Sequence, residues 1–214
     1  MAGNDLNPPV FADLVADARR LADAGGRRIL GITGAPAAGK STLAARLVAA
    51  LDGRAVQVGM DGFHLAQREL RRLGRTERKG APDTFDAVGY VALLGRLRAA
   101  GPDVVYAPEF RRDLEEPVGS AIPVPPDVPL VVTEGNYLLL SGEPWRRIRP
   151  LLDEVWFLAP PEDDRVRRLV SRHREFGRSP EQAVQRAHGS DRRNAILVAD
   201  TARHADRVLP GWRD

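Results

Sequence analysis

The sequence predicts an α/β fold: a parallel sheet with helices on both faces. Short apolar runs alternate with helix-period stretches along the 214 residues. Several of these runs are bare and β-branched, as strands buried on both faces require. Three of them end at Thr33, Gly59 and Thr133 with glycine or an acid close by. In such sheets the ligand crevice lies at the carboxyl ends of the strands.

The elements follow in order. "PPVFADLVADARRLADA" (8–24) is an amphipathic helix that tolerates Pro in its first turn. "RRILGIT" (27–33) is a strand, "STLAARLVAAL" (41–51) a helix and "RAVQVG" (54–59) a strand. "FHLAQRELRRLG" (63–74) is helical and leads into a polar, basic loop (75–85). "AVGYVALLGRLRAA" (87–100) is a helix, followed by "DVVYAPEF" (103–110) and a proline-punctuated excursion (111–129). "LVVTEG" (130–135) and "EVWFLA" (154–159) are strands, 161–176 and 180–200 helical, and "ADRVLP" (205–210) a last strand.

The length fits one large domain with a sizeable core. Without cysteine there is no disulfide, Cys-zinc or thiol chemistry. His173, His188 and His204 lack ligand spacing, so no zinc is expected. The first twenty residues show no charged-then-apolar leader and no run reaches membrane-spanning length, so a cytoplasmic chain is expected. Net charge is +3, carried almost wholly by arginine; Lys40 and Lys79 are the two lysines. The basic residues lack the aromatic interleaving of single-strand binders.

"GAPAAGKS" (34–41) fits GxxxxGK[ST], directly after a predicted strand and opening a helix. Gly34 and Gly39 permit torsions that turn successive N–H groups inward, so the backbone of Gly34, Ala35, Ala37, Ala38 and Gly39 forms a phosphate cradle. The helix N-terminus adds its positive end. Lys40 supplies a compact charge where an arginine fork is too large. Ser41 is the Mg²⁺ ligand of such loops, and Thr42 adds a phosphate contact.

No Asn-Lys-x-Asp guanine reader and no Leu-Ser-Gly-Gly signature is present. The strand at Thr133 ends in a single acid, Glu134, followed by Gly135 rather than by a water-activating second acid. Transfer to an acceptor other than water is favoured. Asp61, at the end of "VQVGMD" (56–61), then reads as the carboxylate that aims an incoming hydroxyl, with Gly62 letting the backbone pass close to the substrate.

"GAPAAGKST", "MDGFH", "KGAPDTFD" (79–86), "VVTEGNYLLL" (131–140) and "ADRVLPG" (205–211) occur in this order. Together they resemble the uridine kinase, pantothenate kinase and phosphoribulokinase branch of P-loop kinases, and more narrowly its short bacterial nucleoside/nucleotide-kinase-like or fructokinase-like members. The resemblance spans about residues 27–211. It implies a three-layer α/β/α P-loop NTPase fold, mostly parallel, with a helical lid, using ATP and Mg²⁺. It makes Asp61 the base and Glu134 a support of Mg²⁺. It implies acceptor contacts from Lys79, Asp83 and Asp86, and from Tyr106 with Arg111 or Arg112 in "YAPEFRR" (106–112). The uridine kinase His-Pro element is replaced by Lys-Gly-Ala-Pro, which sets this chain apart from uridine kinase itself.

The domain expected is a single one, 1–214, with core 27–160 and 201–211, lid 161–200 and the N-terminal helix 8–24. Arg165, Arg168 and Arg172 share a face of the lid helix, and the resemblance selects Arg168 and Arg172 to neutralise the moving phosphoryl group. His64, on the turn of Asp61, is an acceptor-side candidate. Asp83 and Asp86 suit a polyol, which favours a nucleoside or sugar over a vitamin-like alcohol. The expected partner is a small hydroxyl acceptor, with no nucleic acid and no membrane; a homodimer stays open. The rivals are a regulatory ATP-binding protein with little turnover and a nucleic-acid-associated NTPase.

Overall fold

The computed structural model describes residues 8–214. Residues 1–7, the start of the expected domain, lie outside the described residues.

The central sheet has five parallel strands in the order β2-β5-β1-β6-β7, where β1 is Arg28–Gly34, β2 Ala55–Gly59, β5 Leu130–Glu134, β6 Glu154–Leu158 and β7 Arg207–Leu209. Alternation along these strands separates two cores. Leu30, Ile32, Leu130, Val132, Trp156 and Leu158 face α1 (Phe11–Asp23) and α2 (Lys40–Ala50). Ile29, Val58, Val131, Val155 and Phe157 face α4 (Ala87–Ala99). Both sides of β5 are therefore dry, which is why its sequence reads as an unbroken apolar run. Each fully buried Leu or Ile contributes about 1.5–3 kcal/mol. The predicted N-terminal helix buries Leu14, Val15, Ala18 and Ala22 at helical spacing.

Three stretches depart from the sequence expectation. The excursion at 111–129 contains a strand, β4 (Glu116–Val124), antiparallel to β3 (Val105–Arg111) in a second, two-stranded sheet. Two of its prolines, Pro117 and Pro123, lie within β4, which a two-stranded ribbon with open edges tolerates. The segment 63–74 is helical only as α3 (Gln67–Arg72), after a 3₁₀ turn over Met60–Phe63. The stretch 180–200 is two helices, α6 (Pro180–His188) and α7 (Ser190–Ala199), broken where Gly189 adopts φ −92°, ψ −104°. With α5 (Glu162–Glu175) they form a trio at the carboxyl end of β6. Among the described residues no helix is long and apolar enough to cross a membrane.

Register sets the site. β5 lies between β1 and β2, and Ile32, Glu134 and Gly59 are cross-strand partners. The loop after β1, the acid ending β5 and the turn after β2 therefore open side by side.

Candidate active site

The loop from Gly34 to Gly39 is shaped by left-handed torsions at Gly34 (φ 144°), Ala37 (φ 63°) and Gly39 (φ 99°). A Cβ on Gly34 would stand 2.5 Å from the Leu158 carbonyl oxygen on β6, so this position admits no side chain. Ala37 holds its torsion at a cost of about 1–2 kcal/mol. The Ala38 N–H donates to Ala35 O at 3.1 Å, which engages that donor within the loop itself. Helix α2 starts at Lys40, and Leu43 N–H donates to Gly39 O at 3.0 Å. The N–H groups of Lys40, Ser41 and Thr42 thus have no carbonyl behind them and face the loop as anion donors.

Lys40 is buried, and its Nζ donates to Ala35 O at 3.0 Å. Burial pulls its pKa down to about 8; Glu134 and Asp61 oppose this, while Arg172 and Arg165 add to it. Burial also pushes Glu134 up to about 7, reinforced by Asp61 and opposed by Lys40, the Ser41 hydroxyl and Arg112. Ser41, Gly59, Asp61, Phe110, Arg112 and Glu134 line one cleft of about 470 Å³. Among the described residues no group of three His, Cys, Asp or Glu is disposed to hold a metal ion. Ser41 with Glu134 supplies the two hard oxygen donors at the helix start, a set suited to Mg²⁺ that keeps most of its coordination for water and phosphate.

Asp61 sits on the 3₁₀ turn just past β2 and is partly exposed to the cleft. The hydrogen bond of His64 Nδ1 to Asp61 O, 2.9 Å, can only be donated by the ring, so in the neutral imidazole it is Nε2 that keeps the lone pair. Burial lowers the His64 pKa, in keeping with that form. Its ring lies between Phe85 and Phe110, with centroids at 4.0 and 4.8 Å. Gly62 serves a different approach from the one expected: a Cβ there would lie 2.8 Å from the Pro108 carbonyl carbon and closer still to its oxygen, so it is the β3 backbone that passes over the turn.

The acceptor-side residues divide. The β3–β4 register shifts between Ala107 and Glu109, where β4 carries two extra residues between Val118 and Ile122. Val105 and Ala107 are buried, and Pro108, Glu109, Phe110 and Arg112 line the cleft. Tyr106, 53% exposed, is outside that lining, and Arg111 is paired with Asp113 at 2.7 Å. Of the two arginines in the motif it is Arg112 that faces Asp61, at 3.8 Å. Lys79 donates to Glu115 O at 2.7 Å on the β3–β4 turn and stands over Phe110. Asp83 is held by Arg78 and Arg75, and Arg78 first of all keeps its pKa low. Asp86 caps α4 by accepting from Gly89 N–H at 2.8 Å. Both carboxylates expected to take substrate hydroxyls are thus engaged by the protein itself.

On α5, Arg172 is desolvated, which lowers its pKa; Arg112 lowers it further, while Asp191, Asp61 and Glu134 raise it. Arg168 lies over the phosphate loop, Nη1 3.6 Å from where a Cβ on Gly39 would be, beside the Trp212 ring. Arg165, which the sequence grouped with these two, instead donates to Pro36 O at 2.9 Å and to both carboxylate oxygens of Glu162. Trp212 gave no sequence signal; it arrives because Arg213 pairs with Val10 and draws the C-terminal segment beside the loop.

No protein-family model matches the chain. An "ATP-dependent kinase-like protein notR'" of Aspergillus versicolor is 34% identical over 166 residues, 72% of this chain and 96% of its own length. A Schizosaccharomyces pombe protein provisionally named uridine kinase C227.14 is 32% identical over 198 residues, 87% of this chain and 84% of its own. Among solved structures, a protein from Silicibacter sp. TM1040 provisionally described as a fructose transport system kinase superposes with a TM-score of 0.85 at 36% identity, covering 94% of this chain and 99% of its own. YFH7 of Saccharomyces cerevisiae, at 18% identity and a TM-score of 0.79 over 95% of this chain and 99% of its own, shares the three-layer P-loop fold.

Proposed function

The chain belongs to the uridine kinase, pantothenate kinase and related branch of ATP-dependent P-loop kinases, and from that premise we propose that it transfers the γ-phosphoryl group of ATP to a hydroxyl of a small metabolite. In the reaction the acceptor oxygen forms a bond to phosphorus, the bond to the β-phosphate oxygen breaks, and ADP leaves. The hydroxyl proton passes to Asp61 or from it to solvent.

The observation that carries this reading is the convergence of Lys40, Ser41, Asp61 and Glu134 at three adjacent strand ends, in mutual electrostatic reach. The loop N–H groups and Lys40 hold the phosphates. Ser41 and Glu134 would hold Mg²⁺, which would supply charge neutralisation on the phosphate oxygens. Arg168 and Arg172, on a lid formed by α5–α7, neutralise the charge that spreads in a loose transition state. Asp61 accepts a hydrogen bond from the acceptor and aims it; Arg112 faces the same space from the hairpin, and His64 steadies the turn. With Asp83 and Asp86 engaged elsewhere, Lys79 and its neighbours shape the acceptor wall. The pairing of Arg20, Arg28, Arg54, Arg98 and Arg149 with carboxylates weakens the nucleic-acid reading of the arginine content.

The test is a screen of nucleosides, sugars and pantothenate-like alcohols with ATP and Mg²⁺. ADP release above a no-acceptor blank, with a phosphorylated product by mass spectrometry, is expected for at least one class. ADP release that no acceptor raises would overturn the proposal.

A further inference from the structure

The chain from Leu65 to Thr84 leaves and returns at one place. Leu65 N–H donates to Thr84 O at 2.9 Å, and Asp86 N–H to Phe63 O at 2.8 Å, so both ends are pinned to the turn of Asp61. Within this excursion, carbonyl groups around Gly80 are taken by side chains from distant elements. Arg186 on α6 donates Nη1 to Glu77 O at 3.0 Å and Nη2 to Lys79 O at 2.7 Å. Asn194 on α7, 9% exposed, donates Nδ2 to Gly80 O at 3.3 Å. Tyr137, just past β5, donates its hydroxyl to the same carbonyl.

Arg186 makes these bonds with its Nε buried and unpartnered. Two hydrogen bonds from one guanidinium to Glu77 O and Lys79 O make Arg186 a bridge between α6 and the loop. The same helix trio also touches the phosphate loop, through Arg165 on Pro36 O and Arg168 over Gly39. Inside the trio, His173 on α5 and Asp191 on α7 are joined at 2.7 Å, and α5 packs on α6. One packed body therefore grips the donor loop at one end and the loop beside the acceptor cleft at the other.

We infer that Arg186 and Asn194 are positioning residues that tie docking of α5–α7 over the nucleotide to ordering of the 76–84 loop beside the acceptor. The inference rests on the kinase reading and deepens it: donor binding prepares the acceptor wall through the lid. Because the loop ends are pinned to the Asp61 turn, ordering it also steadies that carboxylate. Binding at one end lowers the ordering cost at the other, and such coupling is reciprocal, typically about 5–150-fold in affinity.

Hydrogen exchange of the full chain with Mg²⁺ and a non-hydrolysable ATP analogue tests this without knowledge of the acceptor. In the wild type the analogue is expected to slow exchange in 74–84 as well as in the phosphate loop. Arg186→Gln and Asn194→Ala should lose at least about five-fold of the slowing in 74–84 while keeping that in 34–42, and Arg186→Lys should restore part of it. With an acceptor from the screen, Arg186→Gln should raise the acceptor KM about ten-fold or more and the ATP KM less than about two-fold. A wild-type loop whose exchange ignores the nucleotide, or a response unchanged in both Arg186→Gln and Asn194→Ala, would overturn the inference and leave the kinase reading standing. Failure of every acceptor to raise ADP release would instead strike the kinase reading, with the exchange result still deciding the coupling.

Discussion

Arg165 Nη1 donates to the carbonyl oxygen of Pro36 at 2.9 Å, from the first turn of α5 to the rim of the phosphate loop. Its side chain is almost wholly buried, while its partner Glu162 stays largely exposed. The cation is therefore fixed by packing and by the loop, and it holds one peptide of the cradle with its carbonyl turned away from an incoming anion. Replacing Arg165 by Gln should cost about 1.5–3 kcal/mol, the range for a hydrogen bond to a charged group. In a chain of this size that is about 3–12 °C in Tm. The ATP KM should rise with little change in the acceptor KM. Thermal denaturation and two-substrate kinetics check both; an unchanged Tm would mean the contact is incidental.

Asp61→Asn should preserve the turn and remove the negative charge and the proton-accepting carboxylate, leaving only an uncharged amide oxygen toward the hydroxyl. kcat should fall about 10²–10⁴-fold with ATP affinity near wild type. Lys40→Ala should instead weaken nucleotide binding as well as turnover, because the buried ammonium lies within the loop. Nucleotide titration beside steady-state rates separates the two, and full activity in Asp61→Asn would remove the assigned base.

The two adjacent arginines of the hairpin should behave differently. Arg112→Ala, in the cleft beside Asp61, should raise the acceptor KM about ten-fold or more, the loss of one charged contact. Arg111→Ala, which loses only an exposed pair with Asp113, should leave both stability and kinetics near wild type. Equal effects would contradict the placement of the two side chains.

Gly62→Ala would push a methyl into the Pro108 carbonyl. Either the hairpin lifts or the Asp61 turn shifts, so stability should fall by about 1–3 kcal/mol and kcat should drop with it. Chemical denaturation and turnover of the variant measure the two effects.

His64 has a folded-state pKa below its ordinary value because burial disfavours the imidazolium. In acid the unfolded chain binds this proton more readily than the folded one. The contribution of His64 is therefore present above the unfolded pKa, near 6.5, and is lost as pH falls through the lower folded value. Wild type should lose more stability between about pH 7 and 5 than His64→Gln, whose side chain does not titrate. Parallel pH–stability curves would show that the ring is not held neutral.

The geometry of the strand ends was legible because it is local. The spacing from Gly34 to Ser41, its place between an apolar run and a helix-period run, and the single acid after Thr133 all lie in continuous sequence, and a parallel sheet aligns such strand ends by register. The partners of the later side chains were less legible. Asp83, Asp86, Tyr106 and Arg111 are the residue types an acceptor site uses, yet a carboxylate opening a helix caps it and one beside Arg78 pairs with it. Phe110 and Arg112 line the cleft beyond an irregularity of the β3–β4 pairing that sequence periodicity does not show.

By itself, then, the sequence determined the layered sheet, the cradle and the row of Lys40, Asp61 and Glu134, since local torsions, periodicity and chain order suffice for these. Only the tertiary structure decided that Arg165 braces the cradle, that Arg112 rather than Arg111 meets Asp61, and that Arg186 and Asn194 grip the loop at Gly80. Those choices depend on which polar groups meet across long sequence separations when water is excluded, and no local pattern in the chain encodes that.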